Sequence, residues 1–104
     1  MAVVTVATTT VKPDRYEEYV EQVARKAKAI NEKNGAKNVR LLAGLVAGQA
    51  TGSLVFISEN DDWAAMGATF DKNLADPELI AMLSTGEGSP VASYQVTQWV
   101  DVPL

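Results

Sequence analysis

The chain contains no cysteine and no histidine. Without cysteine there is no disulfide, no thiolate zinc site, no iron–sulfur cluster and no thiol nucleophile. Without histidine the usual haem ligand and the commonest transition-metal ligand are missing, together with the one side chain whose unperturbed pKa lies near neutrality. Neither a metal nor a redox cofactor is expected. Aromatic residues are sparse at 7%, so the position of each one matters. No stretch approaches the roughly 18 apolar residues a membrane-spanning helix needs. Met1-Ala2-Val3-Val4-Thr5 offers no basic segment followed by an apolar one. No membrane partner is expected, and the expected location is cytoplasmic.

What is present is ordinary for a globular protein. A length of 104 residues with 47% hydrophobic and 21% charged side chains fits a single domain spanning residues 1–104 and argues against wholesale disorder. Nine basic and thirteen acidic residues give a net charge of -4, which disfavours phosphate backbones, so no nucleic-acid partner is expected. The charge is unevenly spread: residues 1–52 carry +3 and residues 53–104 carry -7. Two helices with differently charged outer faces account for that imbalance.

Residues 2–11 are rich in β-branched side chains and read as a first strand. Lys12-Pro13 breaks the run, and Asp14 followed by Glu17 has the spacing of a capping box, which predicts a helix from Asp14 onward. Tyr16, Tyr19, Val20, Val23, Ala27 and Ile30 fall on one side of that helix, and Gly35 is its natural stop. Asn38–Val46 and Gly52–Ser58 read as two strands of a hairpin, with Gly44, Gly48 and Gly52 serving turns and strand packing. Asn60-Asp61-Asp62 caps a second helix whose apolar stripe is Trp63, Met66, Gly67, Phe70 and Leu74. Asp76-Pro77 starts a short further helical segment, and residues 91–102 alternate as a last strand. Caps account for Asp14, Asp61, Asp62 and Asp76, and Lys12 and Arg40 read as surface charges.

The order β-α-β-β-α-β predicts an α+β fold, a ferredoxin-like sandwich with a four-stranded antiparallel sheet and helices on one face. Both sheet faces are apolar by alternation: Val39, Leu41, Ala43 and Leu45 oppose Leu42 and Val46, and Leu54 and Phe56 oppose Val55 and Ile57. A monomer rarely leaves such a face in water, so a homodimer through the sheet face is expected.

Lys12-Pro13 before the first helix, Trp63 in the first turn of the second, and Ala75-Asp76-Pro77-Glu78 after it resemble the dimeric α+β barrel superfamily, particularly its NIPSNAP-like and antibiotic-biosynthesis-monooxygenase-like branches. The resemblance covers nearly the whole chain. It implies a dimeric α+β barrel with a pocket in each protomer, between helices and sheet, lined by Tyr16, Tyr19, Trp63, Met66, Phe70 and Tyr94. Core packing is the alternative role for the same side chains. Asn73 and Asp71 flank the stripe of the second helix, where either side chain reaches a pocket mouth or stands in solvent. Aromatic rings with one polar tip suit a small hydrophobic or aromatic metabolite, and binding one is the expected role. The resemblance also allows a cofactor-independent monooxygenase or isomerase of aromatic or polyketide-like substrates, or a non-catalytic structural or interaction module. Enzymes of that superfamily typically place a Trp and an Asn, often with a His, around the ligand. Here Trp63 matches by position, but the first strand has no Asn and the chain no His, so oxygenation would need a substitute set such as a Tyr hydroxyl and Asn73.

Overall fold

The β-branched run Val3–Val11 forms β1, the strand around which the sheet is built. In the computed structural model, which describes residues 2–45, 52–83 and 88–104, β1 pairs antiparallel with β3 (Leu54–Asn60) on one side and β4 (Val91–Val100) on the other. β2 (Lys37–Ala43) pairs with β3. The order is β2-β3-β1-β4. With the helices laid on one face, this is a ferredoxin-like α+β sandwich.

The first helix runs in three parts, Tyr16–Tyr19, a π-helical turn Val20–Ala24, and Arg25–Lys33. It does not begin at a capping box. Asp14 sits in the left-handed region, at φ 63°, and the Arg15 N–H donates to the Lys12 carbonyl at 3.2 Å. Proline followed by a left-handed residue is the signature of a type II turn, and Asp is among the few side chains that tolerate its third position. Asp14 is thus used up in the corner, Arg15 takes the N-cap position without a side-chain cap bond, and the cap lies one residue later than expected. Arg15 instead donates to the carbonyls of Ser89 at 2.9 Å and Gly88 at 2.7 Å, tying the approach to β4 to the helix start.

At the other end Gly35, at φ 106°, closes a Schellman motif. The Ala36 N–H donates to the Asn31 carbonyl and the Gly35 N–H to the Glu32 carbonyl. β2 then opens on an irregularity: Lys37 faces Glu59 while Arg40 faces Ile57, so β2 spends one residue more than β3 and Asn38 takes φ 51°. That is a β-bulge. It moves β2 to Lys37–Ala43, against the expected Asn38–Val46, and β3 runs to Asn60 rather than stopping at Ser58. Gly44 and Gly52 close the base of the hairpin through the Gly52 N–H and the Gly44 carbonyl at 2.8 Å. Residues 46–51, with Gly48, lie outside the described residues, as do 84–87.

The second helix, Trp63–Leu74, is capped as expected by Asp62, whose carboxylate accepts from the Ala65 N–H at 2.7 Å. A third, Pro77–Met82, is capped by Asp76, which accepts from Glu78 and Leu79. Two apolar clusters join these helices to the sheet. Tyr19, Val23 and Ala24 meet Leu54 and Val91, while Ala27, Ile30 and Leu79 meet Phe56. The expected inward stripe of the second helix is not what it buries: Trp63 is 53% exposed and Phe70 50%, whereas Thr69 is 5% exposed. The reason is polar. Unsatisfied groups near the end of the first helix need partners, and Thr69 supplies one. Among the described residues no helix is long and apolar enough to cross a membrane.

Candidate functional site

Between the helices and the sheet lies a cavity of about 170 Å³, open along one side. Its floor is the helix-facing row of the sheet: Thr5, Ala7 and Thr9 of β1, Phe56 and Ser58 of β3, and Tyr94 and Val96 of β4. Alternation puts these residues on one face. The first helix forms a wall through Tyr19, Val23, Ala27 and Asn31, each four residues from the last. In an unbroken α-helix such positions drift roughly 40° per step. The wider π turn at Val20–Ala24 offsets part of that drift by making four residues nearly one full turn, and so keeps Tyr19 in line with the others. Phe70 and Leu74 of the second helix, with Ile80 and Leu83 at the third, form the rim.

Of the side chains expected from sequence, the structure brings Tyr19, Phe70, Asn73 and Tyr94 together around this cavity. Tyr16 and Trp63, the first residues of their helices, stand more than half exposed and do not line it. Met66 lines a smaller adjoining cavity of about 40 Å³, where Gln98 Nε2 approaches its sulfur at 3.2 Å.

The cavity has two unlike ends. At one, the Tyr19 ring is 3% exposed, and its hydroxyl pairs with Thr9. Burial pushes the phenol pKa above its ordinary value, and the bond to Thr9 works weakly the other way. At the other end stands a hydrogen-bonded ladder of amides. Asn34 Nδ2 donates to Asn73 Oδ1 at 2.8 Å. Asn73 Nδ2 donates to Asn31 Oδ1 at 2.9 Å, and Asn31 Nδ2 donates to the Ala27 carbonyl at 2.8 Å. The direction of the ladder is fixed, because the Ala27 carbonyl only accepts and each amide must then present its oxygen to the next. A second chain backs the first: Asn60 Nδ2 donates to Thr69 Oγ1, which donates to the Asn34 carbonyl, both at 2.9 Å.

Apart from Asn73, sequence reading missed this polar end. One signal was there: Asn31 falls four residues after Ala27, where the buried row of the first helix continues, so an amide occupies a core position. Among the described residues no carboxylate, lysine or arginine lines the cavity, and no group of three or more potential metal ligands gathers anywhere.

No family model matches the sequence, and neither does any curated protein. Solved structures do match. An uncharacterized NIPSNAP-like domain protein from Burkholderia xenovorans superposes with a TM-score of 0.73 at 13% identity, over 97% of this chain and 85% of that one. The likeness is one of fold. A dabb family protein with a ferredoxin-like fold from Mesorhizobium loti gives 0.69 at 17% identity over 98% of both chains. A putative antibiotic biosynthesis monooxygenase from Bordetella bronchiseptica gives 0.68 at 16%, again over 98% of both. The fold is therefore that of the NIPSNAP-like and monooxygenase-like structures, and a fold alone does not assign a role.

Proposed function

We propose that the chain binds a small hydrophobic or aromatic metabolite in the cavity between its helices and sheet. The observation that carries this reading is an open, mostly apolar space of about 170 Å³ in which Tyr19, Phe70 and Tyr94 are neighbours. A dry cavity of about 150 Å³ is enough for benzene. Calorimetric titration with toluene and p-cresol tests the reading, against an Ala7→Phe variant that fills the floor. Saturable binding to the native chain that is lost in a folded Ala7→Phe protein is the expected result. Equal binding to both proteins, or to neither, overturns it. Binding is favoured over catalysis as the reading because no side chain around the cavity, among the described residues, is an acid or base suited to proton transfer near neutral pH.

We further propose that a second copy of the chain covers the outer face of the sheet. Alternation puts Val4, Val6, Val55, Ile57, Leu42 and Trp99 there; Leu42 is 46% and Trp99 62% exposed. Thr8, Arg40, Gln95 and Thr97 share that face and Ile57 is itself buried, so the exposed apolar groups form a patch among polar ones, and such a patch marks an interaction surface. Light scattering of a Leu42→Glu/Trp99→Glu double variant tests it. Both side chains are exposed, so the fold is kept while the dimer is expected to dissociate. A native chain that is monomeric at micromolar concentration, or a variant that still dimerises, contradicts the pairing. The cytoplasm is the compartment we propose, and cell fractionation of the tagged chain tests that.

A further inference from the structure

We propose that the ligand of this cavity is an uncharged carbonyl compound, and that Asn31 and Asn73 together hold its oxygen; this rests on the cavity being a binding site at all. A side-chain amide nitrogen carries two N–H donors. Asn31 Nδ2 gives one to the Ala27 carbonyl and Asn73 Nδ2 gives one to Asn31 Oδ1. Each nitrogen keeps a second N–H with no protein acceptor among the described residues, and both side chains line the cavity. The two nitrogens are close. The 2.9 Å bond between the amides, added to the width of one amide group, sets them no more than about 5 Å apart. A single oxygen can lie within about 2.9 Å of both, the ordinary N–H···O distance.

The ladder also holds the pair in place before any ligand arrives. Asn34 fixes Asn73, Asn73 fixes Asn31, and the Ala27 carbonyl fixes the direction of the whole series. Donors set by other bonds lose little freedom when they bind, and a carbonyl oxygen accepts from both without an O–H of its own left to satisfy, as a hydroxyl would have. A carboxylate would also accept from these N–H groups, but no lysine or arginine lines the cavity to offset the loss of its hydration. The space beyond the amides suits one ring with a small substituent, as an aryl ketone or aldehyde provides.

Acetophenone carrying a ¹³C-labelled carbonyl tests the assignment, with cumene as its apolar look-alike and benzoate as its charged one. Titration is expected to show that acetophenone and cumene bind and benzoate does not. The infrared carbonyl band of bound acetophenone is expected at the lower frequency of a hydrogen-bonded ketone. Asn73→Leu is expected to return the band to its position in apolar solvent and to weaken acetophenone about tenfold, the worth of a typical hydrogen bond, without weakening cumene. If Asn73→Leu does not fold, single removals of the hydroxyl donors around the cavity decide: Thr5→Val, Thr9→Val, Tyr19→Phe, Ser58→Ala and Tyr94→Phe. A low-frequency band that survives all five supports the amide pair, and one abolished by any of them overturns it. Cumene bound with acetophenone unshifted overturns the carbonyl assignment alone, and benzoate bound as tightly as acetophenone overturns the uncharged class. Failure of both cumene and acetophenone to bind sinks the cavity reading, and this proposal with it.

Discussion

The two ends of the helical layer are attached to the rest of the molecule by different physics. Around Tyr19, Val23, Leu54 and Val91 the contact is apolar and needs no direction. Around Asn31, Asn34, Asn60, Thr69 and Asn73 it is a set of directed hydrogen bonds linking residues 35 to 42 apart in sequence across the helices, and Asn60 to Thr69 from β3. Apolar contacts hold an element down wherever area is buried. Directed bonds also fix where a particular nitrogen points, which a binding site needs and a core does not.

The contrast predicts different responses to loss of a side chain. Leu79, 5% exposed, packs with Ala27 and Ile30 under the third helix. Leu79→Ala is expected to cost about 3 kcal/mol, transfer and cavity terms together, read as a shift of the urea midpoint. A cost under about 1 kcal/mol would mean that this junction is not held by apolar packing.

At the polar end, Thr69→Val keeps volume and removes one hydroxyl. It leaves the Asn34 carbonyl and the buried Asn60 amide without their shared partner, at about 2 kcal/mol. Thr69→Ser, which retains the hydroxyl, is expected to recover most of that loss. If valine and serine are equally tolerated in denaturant titrations, the chain through Thr69 contributes no net stability and the contrast between the ends fails.

These two ends also separate what the sequence discloses from what it hides. Periodicity gave Tyr19 and Phe70, because apolar spacing reports an angle about a helix axis. It does not report position along the axis, which is why Tyr16 and Trp63, first residues of their helices, share the expected direction yet stand outside the cavity. The succession of strands and helices along the chain and the caps at Asp62 and Asp76 were legible because each depends on residues a few positions apart. Asp14 was equally local but ambiguous, since one short acidic side chain serves a cap or a left-handed corner and the preceding proline decided for the corner. Of the amide ladder only the core position of Asn31 could be read; which residues complete it could not, because the partners lie some 40 residues away.

A smaller effect separates capping from both kinds of attachment. Asp76→Ala removes the acceptor of the Glu78 and Leu79 N–H groups and the 3.7 Å ion pair with Lys33. The exposed Lys33 adds little, so a loss of about 1 kcal/mol is expected, nearly all from the cap. Asp76→Asn, which keeps a capping oxygen but no charge, is expected to lose less than half as much. Equal losses in the two variants would shift the weight to the ion pair.

The smallest effect near neutral pH becomes visible only in alkali, and it probes the apolar end. The Tyr19 phenol is held neutral in the folded chain because burial raises its pKa, whereas in the unfolded chain it ionises near 10. Between those two values the unfolded state has lost the proton that the folded state keeps, so folding stability falls as pH rises. The contribution is constant below pH 10, where both states are protonated. The measurement is a difference: melting temperature against pH for the native chain and for Tyr19→Phe. The native curve is expected to fall away more steeply above pH 10. Parallel curves would mean that the ring gives up its proton as easily folded as unfolded, and the end of the cavity beside Thr9 would then be wet, and the difference between its two ends would disappear.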